Sequence, residues 1–452
     1  MELNVDRRRP NAAALLLYGY VVCLVALPTH VGINLGWAVV TPARVLLVAG
    51  LAAALMETVA SRRVRTSIPG PWIVASWACF LVLAAASTFT GEAGGRVARL
   101  GSMALEGAGV FWLVWWVSRS KPVLSQAVMV GSTAVVAALS TGMAAMGSTY
   151  QATIFGVSSG SDVRFGLLRQ EASFSAPLFY AVWLVAAGGL AIGLALSSTG
   201  RRRQLATLAW ACLAIAVVTT ASRFAMIAVP IVGAAALIGG GRAKLALSSL
   251  AAAALAAILF ITGPGGAFDQ GGVALPPATV TPVASPRGPT PVPAKPSLDP
   301  SPAPTPLSAA DELEAQRLRG SALARFEAIS ATVAALRERP ILGFGPLSAK
   351  PVVAQELGHP NFVDNAYLVI LVEQGIAGLA AFLVLTASIL RPALPARSPL
   401  STSQIVAIAS LLAFGLVAAN LATTQGYALN WMTAALAAAT ADVEARSARL
   451  PT

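Results

Sequence analysis

Residues 341–379 read ILGFGPLSAKPVVAQELGHPNFVDNAYLVILVEQGIAGL, and in this stretch a polar segment runs directly into an apolar helix. The polar part carries His359, Asp364 and Asn365, whereas the apolar part that follows is long enough to enter a bilayer. Polar groups are costly to keep where a helix enters a membrane, so their presence at such a junction indicates function. We therefore expect the chemistry of this protein to lie here.

The whole chain has the composition of a polytopic helical membrane protein. It is 56% hydrophobic and only 11% charged, and its mean hydropathy is +0.72. Apolar runs of spanning length recur along nearly all of it, which predicts an all-α fold of about twelve transmembrane helices. The first nine predicted spans fall in residues 1–262, and the last three, with a cytoplasmic tail, fall in residues 364–452. A soluble multidomain protein is excluded.

Basic residues follow alternate predicted spans, and this alternation predicts the orientation of the chain. The clusters at 7–9, 62–65 and 201–203 flank short loops, and such clusters stay on the cytoplasmic side of a membrane. Both termini are therefore predicted to be cytoplasmic. Topology also explains most of the net charge of +12, and the basic residues form no single stripe, so nucleic-acid binding is not expected.

One long loop, residues 263–363, is predicted to lie outside the cytoplasm. Residues 263–307 are rich in Pro, Gly, Ser and Thr, a composition that predicts an extended linker. Residues 309–339 predict an amphipathic helix, because apolar residues recur three and four apart before Pro340 ends it. Its apolar face is expected to lie on the membrane surface or against the spans.

Arginines gather at the outer ends of the predicted spans; they are Arg44, Arg164, Arg169, Arg223 and Arg325. Guanidinium groups match phosphate oxygens in bidentate geometry, so this set predicts a site for an anionic headgroup. Ordinary roles stay open as alternatives. Arg44 can snorkel to the interface, Arg223 can serve structure alone, and Arg164 and Arg169 can be solvated loop charges.

Asp364 and His359 are the candidate general bases. Histidine accepts a proton near neutral pH, and burial raises the proton affinity of an aspartate. In the alternative reading, Asp364 caps the helix and His359 is a solvated loop residue. Glu373, roughly 13 Å further along the helix, is expected to be structural, and Glu106 is expected either to pair with an intramembrane cation or to accept a proton.

Several catalytic signatures are absent from the sequence. There is no P-loop, no nucleophile elbow and no His/Cys metal cluster. We therefore expect catalysis without a metal or cofactor, with arginines stabilising a phosphate leaving group.

Three patches resemble the bacterial O-antigen ligase and O-antigen polymerase superfamily. Over residues 340–379 the elements PILGFGP, DNAYL and EQGIAGL follow the order of a family proline-glycine turn, helix start and glycine-containing helix. The other two patches are TTASRFAM at 219–226 and VRFGLLRQEASFSAP at 163–177. The predicted layout of spans around one large outer loop is also similar to that family.

This resemblance implies a GT-C-like glycosyltransferase of the bacterial inner membrane that takes part in surface polysaccharide assembly. Such an enzyme transfers a glycan from undecaprenyl diphosphate to a hydroxyl of a glycan or lipid-glycan acceptor at the outer face. Family arginines matching Arg223 and Arg325 are thought to grip the diphosphate, and we expect the other outer arginines to assist.

A loop histidine beside the asparagine that matches Asn365 is thought to activate the acceptor in that family. In this chain Asp364 stands at that place and His359 lies earlier in the loop, so either residue is expected to serve as the base.

Two rival functions remain. A polymerase would extend lipid-linked repeat units, and a transporter or flippase would move lipid-linked sugars; charges concentrated at the outer face favour an enzyme over a transporter.

Overall fold

The structure is a computed structural model that describes residues 11–28, 31–34, 39–61, 69–89, 96–156, 163–164, 167–220, 222–239, 241, 324–358, 363, 365–395, 398–416, 418 and 424–448. The Pro-rich linker of the sequence prediction and the predicted ninth span, 245–262, lie outside these residues. So do His359 and Asp364.

Helices make up almost all of the described chain. In order they are α1 (Ala12–Ala26), α2 (Pro42–Ala60), α3 (Pro71–Phe89), α4 (Arg96–Met103), a π-helical turn (Ala104–Gly109), α5 (Val110–Ser118), α6 (Pro122–Ala145), α7 (Tyr150–Phe155), α8 (Pro177–Ser197), α9 (Gly200–Thr219), α10 (Arg223–Gly239), α11 (Ala324–Glu338), α12 (Ala349–Leu357), α13 (Ala366–Leu390), α14 (Pro399–Phe414) and α15 (Thr424–Ser447). Two short antiparallel hairpins complete it: β1 (Ile33–Asn34) with β2 (Val39–Val40), and β3 (Val163–Arg164) with β4 (Leu167–Leu168).

Within the described ranges, 6 helical segments are long and apolar enough to cross a membrane: α2, α3, the stretch Arg99–Ser118, α6, α8 and α13. The helices Ala12–Ala26 and Pro399–Phe414 and the stretch Ala225–Ile238 are apolar but shorter. This confirms the predicted all-α membrane protein. The count of about twelve spans and the GT-C-like architecture stay predictions.

Helix α8 lies at the centre of the bundle, because every residue from Tyr180 to Leu194 is buried. It packs on α9, α10 and α14. A Cβ on Gly193 would lie 1.9 Å from the Ser403 Oγ, so only glycine permits α14 to approach this closely. Apolar surface alone gives helices little reason to associate in lipid, so close contact of this kind is what holds them together.

Helix α11 packs through a face other than its apolar stripe. Its buried face consists of small residues, Ala328, Ala331, Thr332 and Ala335, and it lies against α12 and α13. The apolar stripe predicted from spacing points outward: Phe326 is 68%, Ile329 41% and Val333 48% exposed. Among the described residues the spans do not cover this stripe, and its place on the membrane surface stays a prediction. Residues 309–323 of the predicted helix lie outside the described ranges.

Candidate active site at the helix ends

Asn365 fixes the start of α13. Its Oδ1 accepts hydrogen bonds from the amides of Tyr367 (2.9 Å) and Leu368 (3.1 Å), as an N-cap residue does. Its Nδ2 donates to the Leu416 carbonyl at 3.0 Å, just past the end of α14. The next amide, Ala366 N, donates to the Gly415 carbonyl at 2.8 Å. The position that follows Asp364 is therefore held firmly against the neighbouring helix.

The PILGFGP turn is seated in a break of α13. Inside this helix Gly375 has φ 65° and ψ −168°, which interrupts the helical hydrogen-bond ladder. The freed groups pair with the turn: Ile376 N donates to the Pro340 carbonyl (2.9 Å), and Phe344 N donates to the Val372 carbonyl (2.9 Å). The turn that precedes α12 is thereby fixed to the helix that carries Asn365 at its start.

Two further contacts secure the same turn. Gly345 N donates to the Glu373 carbonyl at 2.8 Å, and Leu347 N donates to the Glu373 carboxylate at 2.9 Å. The carboxylate of Glu373 therefore accepts a hydrogen bond from a backbone amide of the turn, in agreement with the structural role expected from the sequence. A Cβ on Gly343 would lie 2.5 Å from the Val372 carbonyl oxygen, so this close seat requires glycine on the turn as well.

The end of α9 lies next to Arg169 and shortly before Arg223 in the chain. The Arg169 Nε donates to the Thr220 carbonyl at 3.0 Å, and Gln170 N donates to the Thr219 carbonyl at 3.0 Å. Arg223 starts α10 three residues after Thr220, a distance that the chain covers in about 10 Å at most. The side chain of Arg223 lies outside the described part of the structure, as do those of Arg164 in β3 and Arg325 in α11.

The segment 169–174 is pinned from several sides by hydrogen bonds that sequence reasoning missed. Gln170 donates to the Ser148 carbonyl at 2.8 Å and accepts from the Tyr150 amide at 3.0 Å. Gln425, at the start of α15, donates to the Ser173 carbonyl at 3.2 Å and the Leu24 carbonyl at 3.0 Å. The glutamine side chains near apolar helix ends were the signal available in the sequence. Their hydrogen-bond partners could not be predicted, because those partners lie far away along the chain.

Tyr150 completes this layer. Its hydroxyl donates to the Ala26 carbonyl at 3.0 Å, at the end of α1. Burial raises the pKa of this phenol above the ordinary value for tyrosine, so the hydroxyl keeps its proton and stays a donor. The ends of α1 and α9 and the starts of α7, α10 and α15 therefore meet in one polar layer. That this layer lies at the outer face of the membrane stays a prediction.

Arg44 is paired with Glu106. The Arg44 Nε lies 2.6 Å from a Glu106 carboxylate oxygen, and the Arg44 side chain is 24% exposed whereas that of Glu106 is 3% exposed. Ser102 Oγ donates to the other carboxylate oxygen at 2.8 Å, and the Arg44 guanidinium also donates to the Val39 carbonyl. Of the two sequence readings of Glu106, the structure shows pairing with a cation. The role of Arg44 in diphosphate binding stays a prediction, and the Glu106 carboxylate would repel an anion at that position.

Glu106 lies in a π-helical turn, Ala104–Gly109, between α4 and α5. Such turns are rare and occur frequently at functional sites. The turn packs against α15, where Gly107 allows the Tyr427 ring to approach: a Cβ there would lie 2.9 Å from the Tyr427 hydroxyl. The sequence gives no signal for this turn, because ALEGAG reads as ordinary helix.

Comparison with known proteins agrees with the motif reading. A family model described as O-antigen ligase matches residues 207–383, a range that contains the end of α9, Arg223, α11, the PILGFGP turn and the start of α13. No curated protein gives a significant match. The predicted resemblance is confirmed, and over residues 207–383 this chain is similar to O-antigen ligases.

Proposed function

We propose that this protein transfers a glycan from an undecaprenyl-diphosphate carrier to an acceptor hydroxyl at the outer face of the inner membrane, without a metal. The family match supports glycosyl transfer in polysaccharide assembly at a coarse level. One structural observation carries the finer proposal: the PILGFGP turn is hydrogen-bonded into the break of α13. This docking links α11, the loop helix that carries Arg325, to α13, which begins directly after Asp364 and Asn365.

In this proposal Arg223 and Arg325 hold the diphosphate. Bidentate guanidinium contacts would neutralise its charge as the glycosidic bond to the diphosphate oxygen breaks. Arg169 stands near the Arg223 backbone through its bond to Thr220, and with Arg164 it would assist. Arg44 is less suited to this role, because its charge is already matched by Glu106.

Asp364 or His359 would take the proton from the acceptor hydroxyl. The acceptor oxygen then attacks the anomeric carbon from the face opposite the diphosphate, so configuration inverts and undecaprenyl diphosphate leaves. Asn365 positions this step without touching the reacting atoms, because both ends of its amide are used in fixing the start of α13. Asp364 directly precedes this fixed point, which favours it over His359.

Helix α11 would act as a lid at the membrane surface. Its outward stripe of Phe326, Ile329 and Val333 has no partner within the described protein, and an apolar stripe beside a lipid-facing bundle is suited to the headgroup boundary. A helix held in that plane would bring Arg325 to the depth at which a lipid-linked diphosphate lies.

Paired substitutions separate the roles of the two candidate bases. We expect Asp364→Asn to lower the transfer rate at least 100-fold, within the usual range of about 10²–10⁴ for general-base catalysis. His359→Gln should lower it far less. The measurement is transfer from a defined lipid-linked oligosaccharide over a series of pH values. A wild-type rate and pH profile for Asp364→Asn would overturn this assignment, and a large loss for His359→Gln alone would move the role to histidine.

A further inference from the structure

An open pocket lies at the end of the bundle opposite to the polar layer. Its volume is about 450 Å³, and its lining includes Gly70, Trp115, Arg119, Pro392, Asp442 and Arg446. These residues lie at the start of α3 and at the ends of α5, α13 and α15. Along α15, Arg446 lies roughly 30 Å from Gln425 of the polar layer. The pocket is therefore separate from the candidate active site, and its volume falls within the usual range for ligand pockets.

Two arginines and one carboxylate line this pocket, so its net charge is positive. All three side chains are accessible: that of Arg446 is 56% and that of Asp442 42% exposed, and Arg119 is partly exposed. The Arg446 Nη2 donates to the Asp442 carboxylate at 2.7 Å, and its Nε donates to the Asp442 carbonyl at 3.2 Å. An exposed pair of this kind is weak, and a guanidinium carries five N–H donors. The pocket therefore favours an anion.

Tryptophan rings fix the orientation of Arg119. Its Cζ lies 5.1 Å from the centroid of the Trp115 ring and 6.0 Å from that of the Trp116 ring. Such contacts hold a guanidinium through its face, whereas its N–H groups lie in its plane, where phosphate oxygens bind in bidentate geometry. Trp115 is buried and lines the pocket. Arg119 is therefore held by a packed side chain in a manner that suits a phosphate group.

Exposed apolar side chains flank the pocket residues along the chain. Trp72 follows Gly70 in the first turn of α3, and Leu394 follows Pro392 after the end of α13; both are exposed. Both helices are long and apolar enough to span a membrane, and tryptophan at the end of such a helix is typical of the membrane–water boundary. Basic pockets between transmembrane helices at this depth are typical of sites for anionic lipids. A phosphate carried by a lipid therefore fits the pocket better than a soluble one.

We propose that this pocket binds the phosphate group of an anionic phospholipid such as phosphatidylglycerol, with Arg119 and Arg446 as its contacts. Arg119 would hold the phosphate in bidentate geometry, and Arg446 would exchange its contact with Asp442 for one with the lipid. The charge alternation predicts that this end of the bundle faces the cytoplasmic leaflet. The proposal is independent of glycosyl transfer, since none of the proposed transfer residues lines this pocket.

The test measures lipid binding to the purified full-length protein by native mass spectrometry. Phosphatidylglycerol and phosphatidylethanolamine with the same acyl chains are titrated separately, and glycerol phosphate is added as a soluble competitor. We expect phosphatidylglycerol to bind more tightly and glycerol phosphate to leave it bound. A preference for phosphatidylethanolamine, or displacement of the lipid by glycerol phosphate, would overturn the proposal.

Substitutions locate the binding. Arg119→Gln and Arg446→Gln should each lower the affinity for phosphatidylglycerol about 10-fold or more, as expected for hydrogen bonds to a charged group. Arg202→Gln removes an exposed arginine of α9 outside the pocket lining; it is the matched control and should change the affinity less than about 2-fold. Asp442→Asn should strengthen binding, because it removes the carboxylate that competes for Arg446. Thermal unfolding of each variant checks that the fold is retained.

Two outcomes among the variants would also overturn the proposal. Equal losses in Arg202→Gln and in the two pocket variants would indicate general attraction to a basic surface and no defined site. Weaker binding by Asp442→Asn would indicate that the carboxylate contacts a positively charged headgroup. Because Arg446 is exposed, Arg446→Gln keeps the test decisive even if Arg119→Gln fails to fold.

Discussion

The docking of the PILGFGP turn into α13 makes Gly375 a backbone position at which a side chain is not tolerated. Its φ of 65° and ψ of −168° fall in a region that is essentially restricted to glycine. A Cβ would lie 2.2 Å from the Ile341 carbonyl oxygen. Because the obstacle is backbone and not a flexible side chain, Gly375→Ala must displace the turn or strain the helix.

The size of the effect follows from what holds the turn. The backbone strain costs about 1–3 kcal/mol. Releasing the turn instead gives up the amide bonds of Phe344, Gly345, Ile376 and Ala377 to carbonyls across the seat, each contributing about 1 kcal/mol. We therefore expect the docked turn to lose about 3 kcal/mol of stability, which is roughly a 100-fold change in its opening equilibrium.

Hydrogen exchange measured by mass spectrometry on the nanodisc-embedded protein checks this value. Exchange of the Phe344 and Gly345 amides should accelerate about 100-fold in Gly375→Ala, and glycan transfer should fall with it. Gly131→Ala in α6 is the control, since a Cβ there meets nothing within 4 Å and alanine favours a helix interior. Normal protection and full transfer in Gly375→Ala would refute the seated-turn account.

Other predictions concern the same helices. Asn365→Ala should lower the unfolding free energy by about 1–2 kcal/mol through loss of the cap, whereas Asn365→Asp should retain most of the capping stabilisation. Thermal unfolding in detergent compares the two variants, and equal losses would contradict the capping role. Glu373→Leu leaves the Leu347 amide without its carboxylate acceptor and should cost about 1–3 kcal/mol, while Glu373→Gln should be nearly neutral in the same unfolding assay. A tryptophan placed at Val333 should be quenched by brominated lipids and one at Glu338 should not, if the outward stripe of α11 lies in the membrane; equal quenching would argue against it.

The helix start at Asn365 is the feature that local sequence predicts best. The sequence placed the helix entry at Asn365 and offered Asp364 as the cap, whereas the two amide bonds to the Asn365 Oδ1 show that Asn365 is the N-cap residue. The break at Gly375, ten residues later, was not predictable in the same way. EQGIAGL reads as continuous helix, and its interruption at Gly375 depends on carbonyls of a turn some 35 residues earlier in the chain.

Two other differences have physical causes of the same kind. Spacing arguments give most weight to large apolar residues, so they predicted the stripe that contains Phe326 and Val333 and left it open whether that stripe faces the membrane surface or the spans. In a membrane protein such side chains can face lipid at no cost, and small residues such as Ala331 allow the closest helix contact. The Arg44–Glu106 pair joins residues 62 positions apart, and that separation is why the sequence left the role of Glu106 open.

The most direct test of the central claim is a transfer assay with purified full-length protein. The protein is incubated in lipid with an undecaprenyl-diphosphate oligosaccharide and a metal chelator, with and without candidate acceptors, and the products are followed on a gel together with released undecaprenyl diphosphate. We predict transfer that requires an acceptor and is lost in Arg223→Ala; a ladder without added acceptor would instead identify a polymerase. An intact lipid-linked sugar under all conditions, with movement between the leaflets of liposomes, would contradict glycosyl transfer and indicate a transporter.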